Sequence, residues 1–310
     1  MRFQKPRERS AHIIAVAGGK GGVGKTFFSA NLAALLARAG VHVVAVDTDL
    51  EGANLHTWLG VKAPKRTLAD FVSGREDDPR RLLVETPIPK LELIAATEGH
   101  LTHAQPDAER REVLLKSLRA LSCDCVLLDC GAGTHAANVD YFLAGGDGVL
   151  VLHPEPTSIE NAYNFLRSVL LRRMELSMLK PEVQACVREA MDQRNDRGIR
   201  TPRDLLRAVR ALDSEEARRF EFVLTSLRPR IVVNEVMTAE DVKLGFAVRG
   251  VCRSFFGVQA DYLGYMNSDQ RVRKALRAGV PVVESDPDAE VSVYLSRIAR
   301  KLMRDAGLGT

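Results

Sequence analysis

Residues 18 to 26 read Gly-Gly-Lys-Gly-Gly-Val-Gly-Lys-Thr, after the apolar run His12-Ile13-Ile14-Ala15-Val16-Ala17 and before a helical stretch from Phe27 to Ala39. A glycine loop set between a strand and a helix constrains the fold strongly, because it belongs to chains in which strands and helices alternate. Gly19, Gly24, Lys25 and Thr26 fill the spacing G-x-x-x-x-G-K-[ST] in full. Glycines let the backbone curl until several N–H groups face one concavity, and the positive end of the following helix adds to that field. A phosphate chain fits there. Lys25 is placed to reach β- and γ-phosphates, and the Thr26 hydroxyl to hold Mg²⁺.

The rest of the chain keeps the alternation. Strands are expected near residues 12–17, 42–46, 91–95, 124–129, 148–152, 230–234 and 260–265, with helices between most of them. That order predicts an α/β fold: a doubly wound, mainly parallel sheet covered by helices on both faces. Two of the strands end in acid. Val41 to Val46 runs into Asp47-Thr48-Asp49-Leu50-Glu51-Gly52-Ala53-Asn54, and Cys125-Val126-Leu127-Leu128 into Asp129-Cys130-Gly131. Carboxylates at the carboxyl ends of buried strands stand where open α/β sheets bind ligands. A single such aspartate also serves as a helix cap; the phosphate loop and two acidic strand ends in one chain are a stronger combination.

Lys20 narrows the class. It follows the first glycine of the motif, from where it cannot easily curl back onto its own loop's ligand, and is expected to point outward. At this point the chain resembles the MinD/ParA family of ATPases, whose deviant loop K-G-G-x-G-K-[ST] is matched by Lys20, Gly21, Gly22, Gly24, Lys25 and Thr26. The resemblance implies ATP and Mg²⁺ as ligands and an ATP-dependent homodimer in which Lys20 crosses to the partner's nucleotide. It implies that Asp49 orients the attacking water, that Asp47 supports the Mg²⁺ shell with Thr26, Asp49 and Asp129, and that Asn54 contacts the partner subunit. Gly19, Val23, Phe27 and Gly131 join the nucleotide contacts by the same argument, Gly131 through a backbone N–H that senses the γ-phosphate.

The base site is read less directly. Arg230-Ile231-Val232-Val233-Asn234 ends in an amide whose donor and acceptor suit an adenine edge; the alternative role of Asn234 is a cap for the helix starting near Thr238. Pro281, in Gly279-Val280-Pro281-Val282-Val283, resembles the family's late loop beside the base. The stretch His153-Pro154-Glu155-Pro156-Thr157-Ser158-Ile159-Glu160-Asn161-Ala162-Tyr163 is similar to a segment of the FlhG/FleN (YlxH-like) branch, which limits flagellar number and position. Thr157 and Glu160 there suggest a capping box. That branch often carries an N-terminal Asp-Gln-Ala motif, which Met1 to Ala11 lacks, so activation of a GTPase partner is not expected of this chain.

Composition sets outer limits. The chain has 310 residues, 45% hydrophobic and 27% charged, with a net charge of +4 that does not demand nucleic acid. Met1 to Ala11 is read as a flexible basic tail without a signal peptide, and residues 12 to 310 as a single ATPase domain. No window reaches 18 apolar residues, so a cytoplasmic protein is expected, at most peripheral to a membrane. The five cysteines are an odd number and Cys123-x-Cys125 lacks metal or redox spacing, which counts against iron–sulfur relatives.

Two segments depart from a compact ATPase. Residues 178 to 220 read as two or three inserted helices, with Pro181 and Pro202 in first turns and Asn195-Asp196-Arg197-Gly198 as a turn. Arg203, Arg207 and Arg210 share a face opposite Leu205, Leu206, Val209 and Leu212. The segment balances ten basic against eight acidic residues and has no aromatic before Phe220, so a solvated face is favoured over nucleic-acid binding. From Asp286 as N-cap and Pro287 in the first turn, a basic amphipathic helix over about 287–305 carries Val291, Tyr294, Leu295, Ile298 and Leu302 on one stripe. Docking on the core is the favoured role, and contact with an anionic membrane the other. The function that results is an ATP-hydrolysing dimerisation switch controlling where or how much of a partner assembles, flagellar or polar machinery by resemblance. A nucleoid-binding ParA-like positioner and a metabolic ligase on the same fold are the competing classes.

Overall fold

The computed structural model describes residues 10–62, 64–96, 105–146, 148–177, 179–190, 198–199 and 201–309. In chain order the elements begin β1 His12–Gly18, α1 Lys25–Arg38, β2 Val43–Asp47, α2 Leu55–Trp58, α3 Leu68–Val72, β3 Val84–Glu85, β4 Leu91–Ile94, α4 Ala108–Arg119 and β5 Cys125–Ala132. They continue with α5 Ala136–Ala144, β6 Val149–Leu152, α6 Pro156–Leu176, α7 Pro181–Ala190, α8 Pro202–Leu212, α9 Ser214–Thr225 and β7 Arg230–Val236. Last come α10 Ala239–Val251, extended by a π-turn over Cys252–Phe256, then β8 Asp261–Asn267, α11 Gln270–Ala278, α12 Val282–Ser285 and α13 Glu290–Ala306.

The contacts divide the chain into two units: one takes the chain up to Ala15, Lys25–Gly131 and the chain from Asp269 on; the other takes Val16–Gly24 and Ala132–Ser268. In the first unit the strands run β3-β4-β2-β5-β1, and in the second β1-β6-β7-β8, β1 being shared. β2 pairs in parallel with β4 and β5, β1 with β6, β6 with β7 and β7 with β8, whereas β3 pairs with β4 antiparallel. This is the mainly parallel, helix-flanked sheet that the alternation predicts. β2, β6 and nearly all of β5 are buried at every residue, which a strand shows only when both of its faces are covered. β3 was not expected; with two residues it has no period to read.

In the first unit α13 lies against α1. Val291, Leu295, Ile298, Ala299 and Leu302 are buried while Arg297, Arg300 and Arg304 face solvent, so the apolar stripe is spent on the core, as favoured above. The helix starts later than expected, at Glu290 with Ala289 as N-cap. Asp286 and Pro287 form a turn instead, and the Asp286 carbonyl accepts from the Ser292 hydroxyl at 2.8 Å. Asn31 joins α1 to the same region. Its Nδ2 donates to the Phe27 carbonyl at 2.8 Å and its Oδ1 accepts from Val283 N–H at 3.1 Å, while Arg38 donates to the Val283 carbonyl at 2.9 Å.

In the second unit the insertion forms the three helices α7, α8 and α9, with α7 packed on α8 and α8 on α9. Pro181 and Pro202 open their helices as predicted, and Thr201 with Asp204 makes a capping box on α8. Arg203, Arg207 and Arg210 are exposed. Leu212, assigned above to the buried side, is 52% exposed because it ends the helix. Residues 1–9 of the expected tail, Met178 and the Asn195–Arg197 part of the expected turn lie outside the described residues.

Candidate functional site

The first unit brings the acids together. Lys25 is buried at the first position of α1, and one turn on Ser29 donates to Asp129 Oδ1 at 2.8 Å. The Thr26 side chain also hydrogen-bonds Asp129. Asp47 and Asp129 are direct neighbours across β2 and β5, both almost wholly buried. Burial pushes Asp129 up to about 6, against the pull of Thr26, Ser29 and Lys25. Asp47 is also pushed well up, by burial first and then by the Asp129 charge, although Asn54 and Leu55 N–H donate to its Oδ2 at 3.1 Å and Asp49 N–H to its Oδ1 at 3.0 Å. Two buried carboxylates facing each other with raised proton affinity are a site for positive charge.

Asp49 is partly exposed, and its Oδ1 accepts from Gly52 and Glu51 N–H at 2.9 and 3.2 Å. Asn54 is exposed at the N-cap of α2 and makes no side-chain cap. Phe27 differs from what its place in the motif suggests: its ring is buried against Trp58 at 5.4 Å, leaving only its backbone to a ligand. Pro281 is the N-cap of α12, its carbonyl accepting from Glu284 and Ser285 N–H at 3.0 Å. Gly131 is buried in the last part of β5.

The second unit holds the glycine loop. Gly22 and Gly24 have φ of 78° and 90°, the left-handed region where a side chain is strained. A Cβ on Gly19 would run into the Asn161 backbone, and one on Gly24 into the Asn234 amide. Asn234 is buried on β7, and its Nδ2 donates to the Val23 carbonyl at 3.0 Å. It therefore does not cap α10. Thr238 does, in a capping box with Asp241. β7 shifts register between Val233 and Val236, which leaves Glu235 at φ 56° with its carboxylate 4.0 Å from His153 Nε2.

Lys20 does not stand free. Its Nζ lies 2.7 Å from Glu155 Oε2 and 3.3 Å from Thr157 Oγ1. The pairing corrects the capping box expected at Thr157 and Glu160: Pro156 takes the first turn, where its fixed φ suits it, and Glu155 becomes the N-cap, its carboxylate spent on Lys20 rather than on the helix. The Lys20 hydrogen bond holds Glu155 below the usual carboxylate range.

Residues 14–282 match the model of the CobQ/CobB/MinD/ParA nucleotide binding domain. The chain belongs to the MinD/ParA family. Among its relatives, the antiactivator FleN of Pseudomonas aeruginosa is 30% identical over 94% of this chain and 85% of that one. The septum site-determining protein MinD of Synechocystis is 25% identical over 94% and 88%. Of solved structures, Pyrococcus horikoshii MinD complexed with Mg-ADP superposes with a TM-score of 0.67 at 21% identity, covering 97% of this chain and 99% of that one. A ParA family ATPase from Chlorobium tepidum gives 0.63 at 18% identity, over 95% and 99%. At those identities the two structures speak to fold alone.

Within this MinD/ParA chain, the residues that motif reading missed are Ser29, Glu155, His153 and Glu235. Ser29 carried a signal, lying three residues after Thr26 on the same helix face. Glu155 lay in a quoted motif, but its partner is 135 residues away and no local pattern joins them.

Proposed function

We propose that this chain is a Mg²⁺-dependent ATPase whose two units form one domain over residues 12 to 310, working in the cytoplasm as a nucleotide-gated homodimer. The observation that carries the reading is the facing pair Asp47 and Asp129, of which Asp129 is bonded to the helix that the glycine loop opens. In this reading the N–H groups of residues 19 to 26 and the Lys25 ammonium bind the phosphates. Thr26, Asp47, Asp49 and Asp129 are hard oxygen donors, and they fit Mg²⁺, which keeps several waters and takes few carboxylates beside phosphate oxygens. Held there, Mg²⁺ would supply charge neutralisation to the phosphate oxygens. Asp49 holds the attacking water, Gly131 N–H senses the γ-phosphate, and Asn234 and Pro281 flank the base.

Closure of two subunits carries Lys20 from Glu155 to the partner's phosphates, with Asn54 at the partner's nucleotide, and hydrolysis reopens the pair. The output is control of a regulatory protein partner, as the name of the antiactivator relative suggests, with flagellar or polar machinery as the target. No helix among the described residues is long and apolar enough to cross a membrane, and the α13 stripe is buried, so any membrane contact there falls to its basic face. A second reading, a nucleoid-binding positioner, draws on the exposed Arg273, Lys274 and Arg277 of α11 and requires DNA binding that weakens steeply with salt.

Titration calorimetry with a nonhydrolysable ATP analogue and light scattering test the proposal. Lys25→Ala loses nucleotide binding. Lys20→Ala binds nucleotide but does not form the productive dimer, and Asp49→Ala accumulates as an ATP-locked dimer. A monomeric Asp49→Ala protein with normal turnover would refute the switch.

A further inference from the structure

The described side-chain and close partners of the glycine loop are Glu155, Thr157, Asn161 and Asn234. None of these is in α7, α8 or α9. Where α6 ends beside α9, there is an open hollow of about 400 Å³ walled by Arg173, Arg218, Arg219, Phe222, Val223 and Ser226. Val223 is buried at its floor. Phe222 projects beside it with 70% of its surface in solvent, and Leu176, the last residue of α6, is 53% exposed.

The arginines are not equivalent. Arg219 is neutralised by Glu215 and Glu216 at 3.1 and 3.2 Å. Arg173 lies in the last turn of α6, where a cation suits the helix dipole, and its Nη2 meets the Ser226 hydroxyl at 3.4 Å. Arg218 makes no ion pair or hydrogen bond among the described residues and sits mid-helix, where the dipole asks for nothing. Two guanidinium groups without a carboxylate therefore flank an apolar floor and an exposed ring.

We propose that this hollow docks an acidic amphipathic helix of a partner protein, with Phe222 and Val223 receiving its apolar anchor and Arg173 and Arg218 its flanking carboxylates. Aromatic and arginine side chains grouped around a small pocket are the composition of interface hot spots, and a helix laid in a groove is a common way to meet one. A small ligand is disfavoured because such sites enclose most of their ligand, whereas Phe222 stands out of this one. The inference rests on the reading that the switch acts through a protein partner, and does not depend on how nucleotide is bound.

Photo-cross-linking in the cells of origin tests it, with p-benzoylphenylalanine in place of Phe222 in the full chain and, as control, in place of the 81% exposed Met237. The expected product at position 222 is a peptide of another protein with Asp or Glu flanking apolar residues, absent from the Met237 control and lost when Arg218→Glu is added. A synthetic copy of that peptide should bind Phe222→Ala about thirty-fold more weakly than the parent chain, as truncation of a hot spot does. Both side chains are exposed, so thermal midpoints and affinity for the ATP analogue should match the parent. Cross-links only to lipid, to a second copy of this chain or to a basic peptide would overturn the proposal, as would no cross-linked protein or equal peptide affinity. A parent chain that binds no ATP sinks the ATPase reading and leaves the cross-link standing.

Discussion

Lys20 and Glu155 form an ion pair of 2.7 Å inside one chain, joining the phosphate loop to the first turn of α6. Lys20 is therefore already paired within its own chain, and the proposed dimer closure would have to break this contact first. The pair is partly exposed, with 30% and 55% of the two side chains in solvent, so it has the modest strength of a solvent-screened surface bridge. Glu155→Gln should loosen the hold on Lys20 and strengthen ATP-dependent dimerisation by at most a few-fold. Sedimentation equilibrium with the ATP analogue measures the shift; a weaker dimer would show that Glu155 works in the closed state instead.

The two left-handed glycines of the loop are expected to behave differently. At Gly22 a methyl group meets nothing, so Gly22→Ala should cost only the backbone strain, about 1–2 kcal/mol. Gly24→Ala adds a collision with the Asn234 amide, and should be the more destabilising of the two in urea titrations. Equal losses would mean that the loop moves off β7 without cost.

The buried acids predict an unusual pH dependence. Asp129 holds its proton up to about 6 in the folded chain and Asp47 is also raised, while in the unfolded chain both ionise near about 4. Between those values the folded state binds more protons, so the contribution of these groups to stability is greatest below about pH 4 and is lost as pH rises through about 6. Asp129→Asn removes part of that loss, and its thermal midpoint relative to the parent should climb between about pH 4 and 6 and level off above. A pH-independent difference would contradict the assignment. Mg-ADP should stabilise the parent more above that range than below it.

Burial of α13 makes it a structural test case. Leu295→Ala, at a side chain 1% exposed, should destabilise the first unit by about 2–5 kcal/mol in chemical denaturation. Arg300→Ala, on the solvent side of the same helix, should change stability by no more than about 0.5 kcal/mol. If instead Leu295→Ala is neutral, the helix is not part of the core.

How much was legible in the sequence depended on the range of the interactions. The glycine loop, the acids of β2 and β5 and the stripe of α13 are each written in a few consecutive residues; Asp47 ends β2 as expected, whereas β5 runs three residues past Asp129 to Ala132, so that acid stands inside its strand. Boundaries were read less well where two signals competed: Pro156 outweighed Thr157 at the start of α6, and the Asp286–Pro287 turn delayed α13. Contacts across long separations could not be read. The ammonium of Lys20, the amide of Asn234 and the hydroxyl of Ser29 find partners 135, 211 and 100 residues away, and only Ser29, on the same helix face as Thr26, stands where a local pattern points to it.

Asn31 spends both ends of one amide, one on its own helix and the other on Val283. No other side chain of that size both donates to the helix carbonyl and accepts from the Val283 N–H: aspartate lacks the donor and leucine lacks both. The helix that carries Lys25 and Thr26 is in this way moored to the segment ahead of α13. A substitution that unseats Val283 is therefore expected to loosen that helix as well, although Asn31 and Val283 lie 252 residues apart in the chain.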